Sequence, residues 1–439
     1  MHPYLADYPA EQRDLTDNAQ NLRILDIASD LLRAEGEAVE GLEARLCGDV
    51  EFVSQASPVF LEALSIAASK SKLLRNTQPF HATVVWAMYG ETSRMQTREQ
   101  NPHGEDALRV KVKQLEWLFT GLETPSSWSI VLCDDGCPEQ PPSSAYARQI
   151  AADEGYGDRV HVITLQDAID SAEAVNAYFG KMKTTDDSRK GGSILLAMWH
   201  ALHRGGVGHE GSQKHIVLFT DGDLSANLAQ LGKMAVPILD STAACTAGQR
   251  YGMQGAILVK EQGVLTEPLS TGTKPDKLII LFRHFVRASL IPSLENILDT
   301  QAGFKAFDAE LLKRVIPKIQ SFKETFDVEL LINTALVCGK EKIAAVPILF
   351  TEDFALTNFP SVDPGQGHLN MIRQLVEIYE QHVAEHTPAE VEMLQFIKDL
   401  ELESYVRLIK GLEALDDGDE NLFDRRWSLD ALRGAIGEK

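Results

Sequence analysis

The sequence predicts an α/β protein, with a mostly parallel central sheet covered by helices and further helical regions at both ends. Three observations lead there. From Pro79 onward, short β-branched runs alternate with helical stretches. Three of those runs end in acidic residues, at the strand ends where open parallel sheets place their ligands. On either side of this region the apolar pattern is helical.

Taken in order, residues 1–78 read as helical. Leu22, Leu25, Leu31 and Leu32 fall on one helical face that stops at Gly36, and Ser57-Pro58 supply an N-cap and a first-turn proline. The strand candidates are HATVVWAMY (81–89), WSIVLCDD (128–135), RVHVITL (159–165), KHIVLFTDGD (214–223) and GMQGAILV (252–259). Helical stretches at 104–121 and 190–203 lie between them, the alternation expected of parallel strands joined by crossovers. Later the chain passes through VPILF and a Gly/Pro loop, SVDPGQGHLN (361–370), into helices ending near residue 414, with Thr387-Pro388 as a cap and first turn. DDGDE (416–420) reads as a solvated turn or tail segment. The expected divisions are a helical extension (1–78), a central α/β domain (79–345) and a C-terminal loop and helical region (346–439).

A chain of 439 residues, 44% hydrophobic, has enough apolar surface for a large core. Its 64 acidic and 42 basic residues give a net charge of −22, which repels nucleic acid and anionic lipid. Nucleic acid is therefore not an expected partner. The five cysteines form no CxxC pair and read as reduced thiols. No apolar run approaches the ~20 residues of a membrane span, and MHPYLADYPAEQRD is acidic where a signal peptide is basic and then apolar. The expectation is a cytoplasmic protein without an integral membrane segment, with a homo-oligomer left open.

Three local patterns carry chemistry. Asp221-Gly222-Asp223 directly follows the apolar run HIVLFT, so two carboxylates flanking one small residue can face the same Mg²⁺ or Mn²⁺ and, with it, a leaving diphosphate. Asp-x-Asp is also a common turn, which stays the alternative. Asp134-Asp135-Gly136, after WSIVLC, suits either a base or ribose contact or an Asx-turn. Ser188-Arg189-Lys190-Gly191-Gly192-Ser193 opens a helix, where glycines permit close backbone approach and basic side chains meet phosphate; an ordinary N-cap is the other reading.

The order strand-DDGC, SRKGG-helix, strand-TDGD resembles the family 2 glycosyltransferases of GT-A fold, especially the dolichyl-phosphate mannosyltransferase and polyprenyl-phosphate sugar transferase branch. Further on, Gly248-Gln249-Arg250-Tyr251 looks like that branch's Gly-Ser-Arg segment. Asp299-Thr300-Gln301-Ala302-Gly303-Phe304-Lys305 matches its DTQxGFK motif at every fixed position, and Phe326-Asp327-Val328-Glu329-Leu330 resembles the acidic segment that follows. The resemblance covers about residues 80–345. It implies a GT-A-type fold, donor contacts from Glu91, Asp134, Asp135, Arg189, Lys190 and Asp221, and a metal held by Asp221 and Asp223. It also places Arg250 and Lys305 towards an acceptor or a phosphate.

The sequence departs from the family in three places. Met88-Tyr89-Gly90-Glu91 stands for its Pro-x-x-Asn-Glu, Cys137 for the serine of Asp-Asp-Gly-Ser, and Asp221-Gly222-Asp223-Leu224-Ser225 for Asp-Ala-Asp-Leu-Gln. Asp299 is read either as a general base near the acceptor or as a holder of the Gly303 turn, with Asp327 and Glu329 as the next catalytic candidates. His368, in DPGQGHLN, is either a late metal ligand or a surface histidine. The stretch 278–297, with Arg283 and Arg287, reads as a buried helix whose arginines reach solvent, a helix near a lipid phosphate being the other reading.

The reaction this implies is sugar transfer from a UDP- or GDP-sugar to a hydroxyl or phosphate of a small-molecule or lipid-phosphate acceptor, with inversion. A sugar-phosphate nucleotidyltransferase should carry a glycine-rich Arg/Lys loop after the first strand, and AMYGETSRM (87–95) lacks one. A non-catalytic nucleotide-sugar-binding regulator is the remaining alternative.

Overall fold

The computed structural model describes residues 3–171, 178–188, 190–203, 213–259, 294, 296–352, 364–415 and 427–437. Seven strands form one sheet in the order β3-β2-β1-β4-β7-β5-β8. They are β1 (Phe80–Met88), β2 (Ser127–Asp134), β3 (Val160–Thr164), β4 (Lys214–Thr220), β5 (Cys245–Gln249), β7 (Phe304–Asp308) and β8 (Ile343–Pro347). All neighbouring pairs are parallel except those of β7, which runs antiparallel to both β4 and β5. Two short strands, β6 (Ile257–Val259) and β9 (Leu349–Thr351), form a separate parallel pair. The mostly parallel α/β sheet is the one the sequence predicts.

Its strands are buried on both faces, which is why β1, β2 and β4 read as nearly continuous apolar runs. On one face Val85, Val131, Val217 and Phe219 share a core with the Gly191–His203 helix and with the C-terminal helices. On the other, Val84, Ile130 and Leu218 pack with Ile24, Phe60 and Leu64 of the N-terminal helices. Those helices are Asn18–Glu35, Val39–Leu46, Val50–Gln55 and Pro58–Leu74; Ser57 is the N-cap and Pro58 opens the last of them. Thr387 and Glu390 close a reciprocal capping box on Pro388–Asp399.

Two expectations are corrected. The run at 252–259 is a strand only over Ile257–Val259, because Gly252 and Gly255 adopt left-handed backbone (φ 76° and 83°) that turns the chain. His368 is not in a loop, since a helix begins at Pro364 and runs to His382. DDGDE and most of 278–297, including Arg283 and Arg287, lie outside the described residues. No helix among the described residues is long and apolar enough to cross a membrane.

Candidate active site

The carboxyl ends of β1, β2, β4 and β5 and the start of the antiparallel β7 lie along one edge of the sheet. Register explains what meets there. Thr220 pairs with Phe304, so Asp221, one residue on, faces Gly303. A Cβ on Gly303 would overlap the Asp221 carboxylate, which makes this glycine the floor of the acidic loop.

Lys190 is ion-paired with Asp221 across that edge. Burial alone would raise the Asp221 carboxyl, but Lys190, Arg250 and Lys111 outweigh it and hold the group below the usual carboxylate range. Burial works against the Lys190 ammonium too, and Asp221, Asp223 and Asp327 more than offset it, so its pKa lies above the ordinary lysine value. Lys190 itself has left-handed backbone (φ 72°), and its N–H donates to Asp135 at 2.9 Å. Asp223 accepts the Ser225 N–H at 3.0 Å through one oxygen; among the described residues no hydrogen bond reaches the other. Glu91 lies beside this pair: its carboxyl carbon is among the nearest neighbours of Gly222, and burial raises its pKa against the pull of Arg94.

The other predicted residues sort into two kinds. Asp135 ties β2 to the start of the Gly191–His203 helix, accepting from Ser193 at 2.5 Å as well as from Lys190. Asp134 accepts the N–H groups of Gly136 (3.0 Å), Cys137 (2.8 Å) and Ser144 (3.3 Å), so its carboxylate is spent on the turn and on the helix start at Ser143. Arg189 lies outside the described residues. Arg250 grips Asp299 in a two-pronged pair, Nε to Oδ2 at 2.6 Å and Nη2 to Oδ1 at 3.0 Å. Gln249 receives the Asp299 N–H at 2.7 Å, so the end of β5 clamps the start of DTQAGFK from two sides.

Lys305 is fully buried, donating to the Ala302 carbonyl (2.6 Å) and to Asp327 (3.1 Å) beneath Phe219. Its ammonium therefore braces the turn and does not reach a ligand, which corrects the expected acceptor or phosphate contact. Burial raises the Asp327 carboxyl in spite of Lys305. Glu329 is corrected likewise: it accepts from the backbone of Gln320 and Ser321 and from His382 (2.6 Å), joining a loop to the Pro364–His382 helix. His368 is not gathered with Asp221 and Asp223, because no group of three or more His, Cys, Asp or Glu is arranged for a metal among the described residues.

A divalent ion here would thus rest on Asp221 and Asp223 plus diphosphate oxygens. That donor set fits Mg²⁺ or Mn²⁺, hard cations commonly bound by one or two carboxylates and a substrate phosphate.

Three residues that the sequence did not single out complete the loop. Lys111, on the Ala107–Phe119 helix, has no exposed surface; its Nζ donates to the Asp221 carbonyl at 3.0 Å and lies 5.3 Å from the Trp86 ring. Burial pulls its pKa down to about 8 against four surrounding carboxylates, Asp223, Asp221, Glu105 and Glu91. Glu105 accepts the Leu224 N–H at 2.7 Å, and Arg94 bridges Glu91 (3.1 Å) and Glu105 (3.6 Å). A signal for Lys111 exists in the sequence, since it falls on the apolar stripe Ala107, Leu108, Leu115, Leu118, where a lysine is out of place.

No family model matches the chain, and no curated protein matches it. Among solved structures it is similar to glucosyl-3-phosphoglycerate synthase from Mycobacterium tuberculosis. In that enzyme's complex with Mn²⁺, UDP-glucose and phosphoglyceric acid the identity is 16% over 72% of this chain and 84% of that one, with a TM-score of 0.43. In its complex with Mn²⁺, UDP and glucosyl-3-phosphoglycerate the identity is 16% over 74% and 86%, with a TM-score of 0.44.

Proposed function

We propose that this protein is a glycosyltransferase that moves a sugar from a UDP- or GDP-sugar to a hydroxyl or phosphate acceptor, with inversion and with help from Mg²⁺ or Mn²⁺. The observation that carries this reading is the Asp221-Gly222-Asp223 loop at the carboxyl end of β4, seated on Gly303 of DTQAGFK and facing Lys190. Within the class, DTQAGFK favours the dolichyl-phosphate mannosyltransferase-like branch, and the acceptor is a small molecule or a lipid phosphate. The acidic chain and its reduced cysteines favour a cytoplasmic enzyme, and a homo-oligomer is compatible with it.

Asp221 and Asp223 would hold the ion, which supplies positive charge for the departing diphosphate. Lys190, now paired with Asp221, has a diphosphate oxygen as its alternative partner and would move to it when the donor binds. Glu91 and Asp135 border the same edge, where the nucleoside would lie. Arg250, 17% exposed and fixed by Asp299, presents a guanidinium for an anionic acceptor or phosphate. Asp299 is assigned as the residue that positions Arg250, since both its oxygens face that guanidinium. Asp327, whose charge acts on Lys190 although its carboxylate pairs with Lys305, stays a candidate base, and a phosphate acceptor would need none.

Calorimetry of UDP and GDP in EDTA and then in Mn²⁺ tests the reading. Nucleotide affinity is expected to depend on metal, and Asp223→Ala to weaken it by at least the roughly 10–100-fold that loss of even an outer-shell partner costs. Metal-independent binding that survives Asp223→Ala would overturn it.

A further inference from the structure

We propose that Lys111 is a positioning residue of the metal–diphosphate site: its buried ammonium fixes the Asp221 carbonyl and offsets the carboxylates around it, so that a divalent ion binds tightly only together with a diphosphate. The inference rests on the glycosyl-transfer reading above and concerns how that site is tuned.

Four carboxylates, Glu91, Glu105, Asp221 and Asp223, act on the Lys111 ammonium. Against them stand Arg94, Lys111 and Lys190, and Arg250, itself gripped by Asp299, also acts on Asp221. Lys190 is 45% exposed and exchangeable, whereas Lys111 has no exposed surface and cannot leave. Its Nζ donates one hydrogen bond among the described residues, to the Asp221 carbonyl at 3.0 Å, and it sits over Trp86, which in turn borders Gly222.

Burying an ammonium is costly, and packing alone gives no reason to keep one: a methionine would fill the same stripe of the Ala107–Phe119 helix without that cost. The charge must therefore act on its neighbours. With Lys111 present the four acids are largely neutralised and a lone divalent ion meets little surplus negative charge. A diphosphate restores that surplus, and the ion then binds with it. Glu105, which holds the Leu224 N–H at 2.7 Å, adds negative charge to the same loop and so works in the opposite direction.

The test compares wild type, Lys111→Gln and Glu105→Gln. Mn²⁺ affinity without nucleotide is measured by the electron paramagnetic resonance signal of free Mn²⁺, and UDP affinity by calorimetry with and without Mn²⁺. Glutamine at 111 retains a donor for the Asp221 carbonyl but loses the charge. It is expected to raise affinity for Mn²⁺ alone on the order of tenfold and to shrink the gain in UDP affinity that Mn²⁺ confers. Glutamine at 105 retains an acceptor for Leu224 and is expected to lower affinity for Mn²⁺ alone by a similar factor. A purely structural Lys111 would lower the melting temperature without moving Mn²⁺ affinity in opposite directions in the two variants.

If wild-type UDP binding depends on Mn²⁺ but both variants match it, or shift Mn²⁺ affinity the same way, the role of Lys111 is overturned and the glycosyl-transfer reading stands. If wild-type UDP binding ignores Mn²⁺, that reading falls and this one with it. Should Lys111→Gln fail to fold, an unchanged Mn²⁺ affinity in Glu105→Gln is by itself sufficient to overturn the proposal.

Discussion

Gly303 and Gly222 both border the acidic loop, yet a methyl group would meet very different surroundings at the two positions. At Gly303 it would overlap the Asp221 carboxylate; at Gly222 its nearest neighbours would be Trp86 Cδ1 at 3.5 Å and the Ala87 oxygen and Glu91 carboxyl carbon at 3.6 Å, ordinary contacts. Gly222 is also absent from the positive-φ glycines. Gly303→Ala is therefore expected to push Asp221 aside and weaken Mn²⁺-dependent UDP binding by more than about tenfold, a little over 1.4 kcal/mol. Gly222→Ala should bind within about twofold of wild type and unfold at equal or higher denaturant, since removing glycine's unfolded-state freedom typically adds about 0.4–1 kcal/mol. Parallel calorimetry and denaturant titration of the two variants read both outcomes.

Asp299 invites a double-mutant cycle. If it acts by holding Arg250, Asp299→Asn and Arg250→Met should lose transfer by similar factors, and the double variant should lose little more, the non-additivity of residues that act as one unit. A general base would instead give Asp299→Asn a loss of ~10²–10⁴-fold that adds to the Arg250 loss. Single-turnover transfer on the three variants decides between them. The contrast shows what the sequence could and could not convey about the site. The strand-end position of Asp221 and Asp223 was legible because the buried strand β4 runs directly into them. Asp299, Lys305 and Glu329 were recognisable as a pattern, but whether a polar side chain faces a ligand or another part of the chain depends on pairing across 22 residues for Lys305 and Asp327 and across 53 for Glu329 and His382. Local order does not encode that choice.

At the scale of elements the same limit recurs. β1, β2 and β4 were legible as long apolar runs, whereas β5 (CTAGQ) and β7 (FKAFD) are short and carry polar side chains that the fold buries. Gln249 and Lys305 are fully buried because each finds partners in the 299–302 turn, Gln249 at Asp299 and Lys305 at Ala302, a compensation visible only once β7 is inserted antiparallel between β4 and β5. One helix contact carries a pH prediction. Glu40 gathers Ser71 (2.9 Å), Lys72 (3.0 Å) and Arg75 from the end of the Pro58–Leu74 helix. Burial would raise its pKa, but the Arg75, Lys72 and Ser71 hydrogen bonds prevail and hold it below its ordinary value of 4.5. A carboxyl whose folded pKa is depressed adds stability above its unfolded pKa and loses it as pH falls through the folded one. Glu40→Gln should therefore melt below wild type at pH 7, and the two melting temperatures should converge as the pH drops below 4.5. A gap that persists undiminished in acid would show that Glu40 contributes through shape rather than charge.

At the scale of the whole molecule, the N-terminal helices are bound to the sheet by core contacts and by a polar lattice aimed at the segment just after the acidic loop. Phe60, Leu64 and Ala67 of the Pro58–Leu74 helix share one core with Phe80, Val84, Ile130 and Leu218. From the same helix Glu62 pairs with Arg13 at 2.7 Å and accepts from Asn227 at 2.8 Å, Ser65 donates to Gln230 at 3.0 Å, and Ser69 donates to the Ala229 carbonyl at 2.6 Å. A chain beginning at residue 79 would uncover the part of that core which the N-terminal helices fill and leave Asn227 and Gln230 without those partners. Each large apolar side chain returned to water costs about 1.5–3 kcal/mol, so uncovering a handful of them consumes the ~5–15 kcal/mol that typically separates folded from unfolded. The shortened chain is accordingly expected to be unfolded or aggregated, with no cooperative thermal transition. In the full chain, hydrogen exchange over the Pro58–Leu74 helix should be as slow as over β1 and β4. A chain of residues 79–439 that melted cooperatively and bound UDP with Mn²⁺ would show that the sheet stands alone and that the helices are an appended layer. Slow exchange in the helix, combined with loss of UDP binding on its removal, would instead make residues 1–78 part of what holds Asp221 and Asp223 in place.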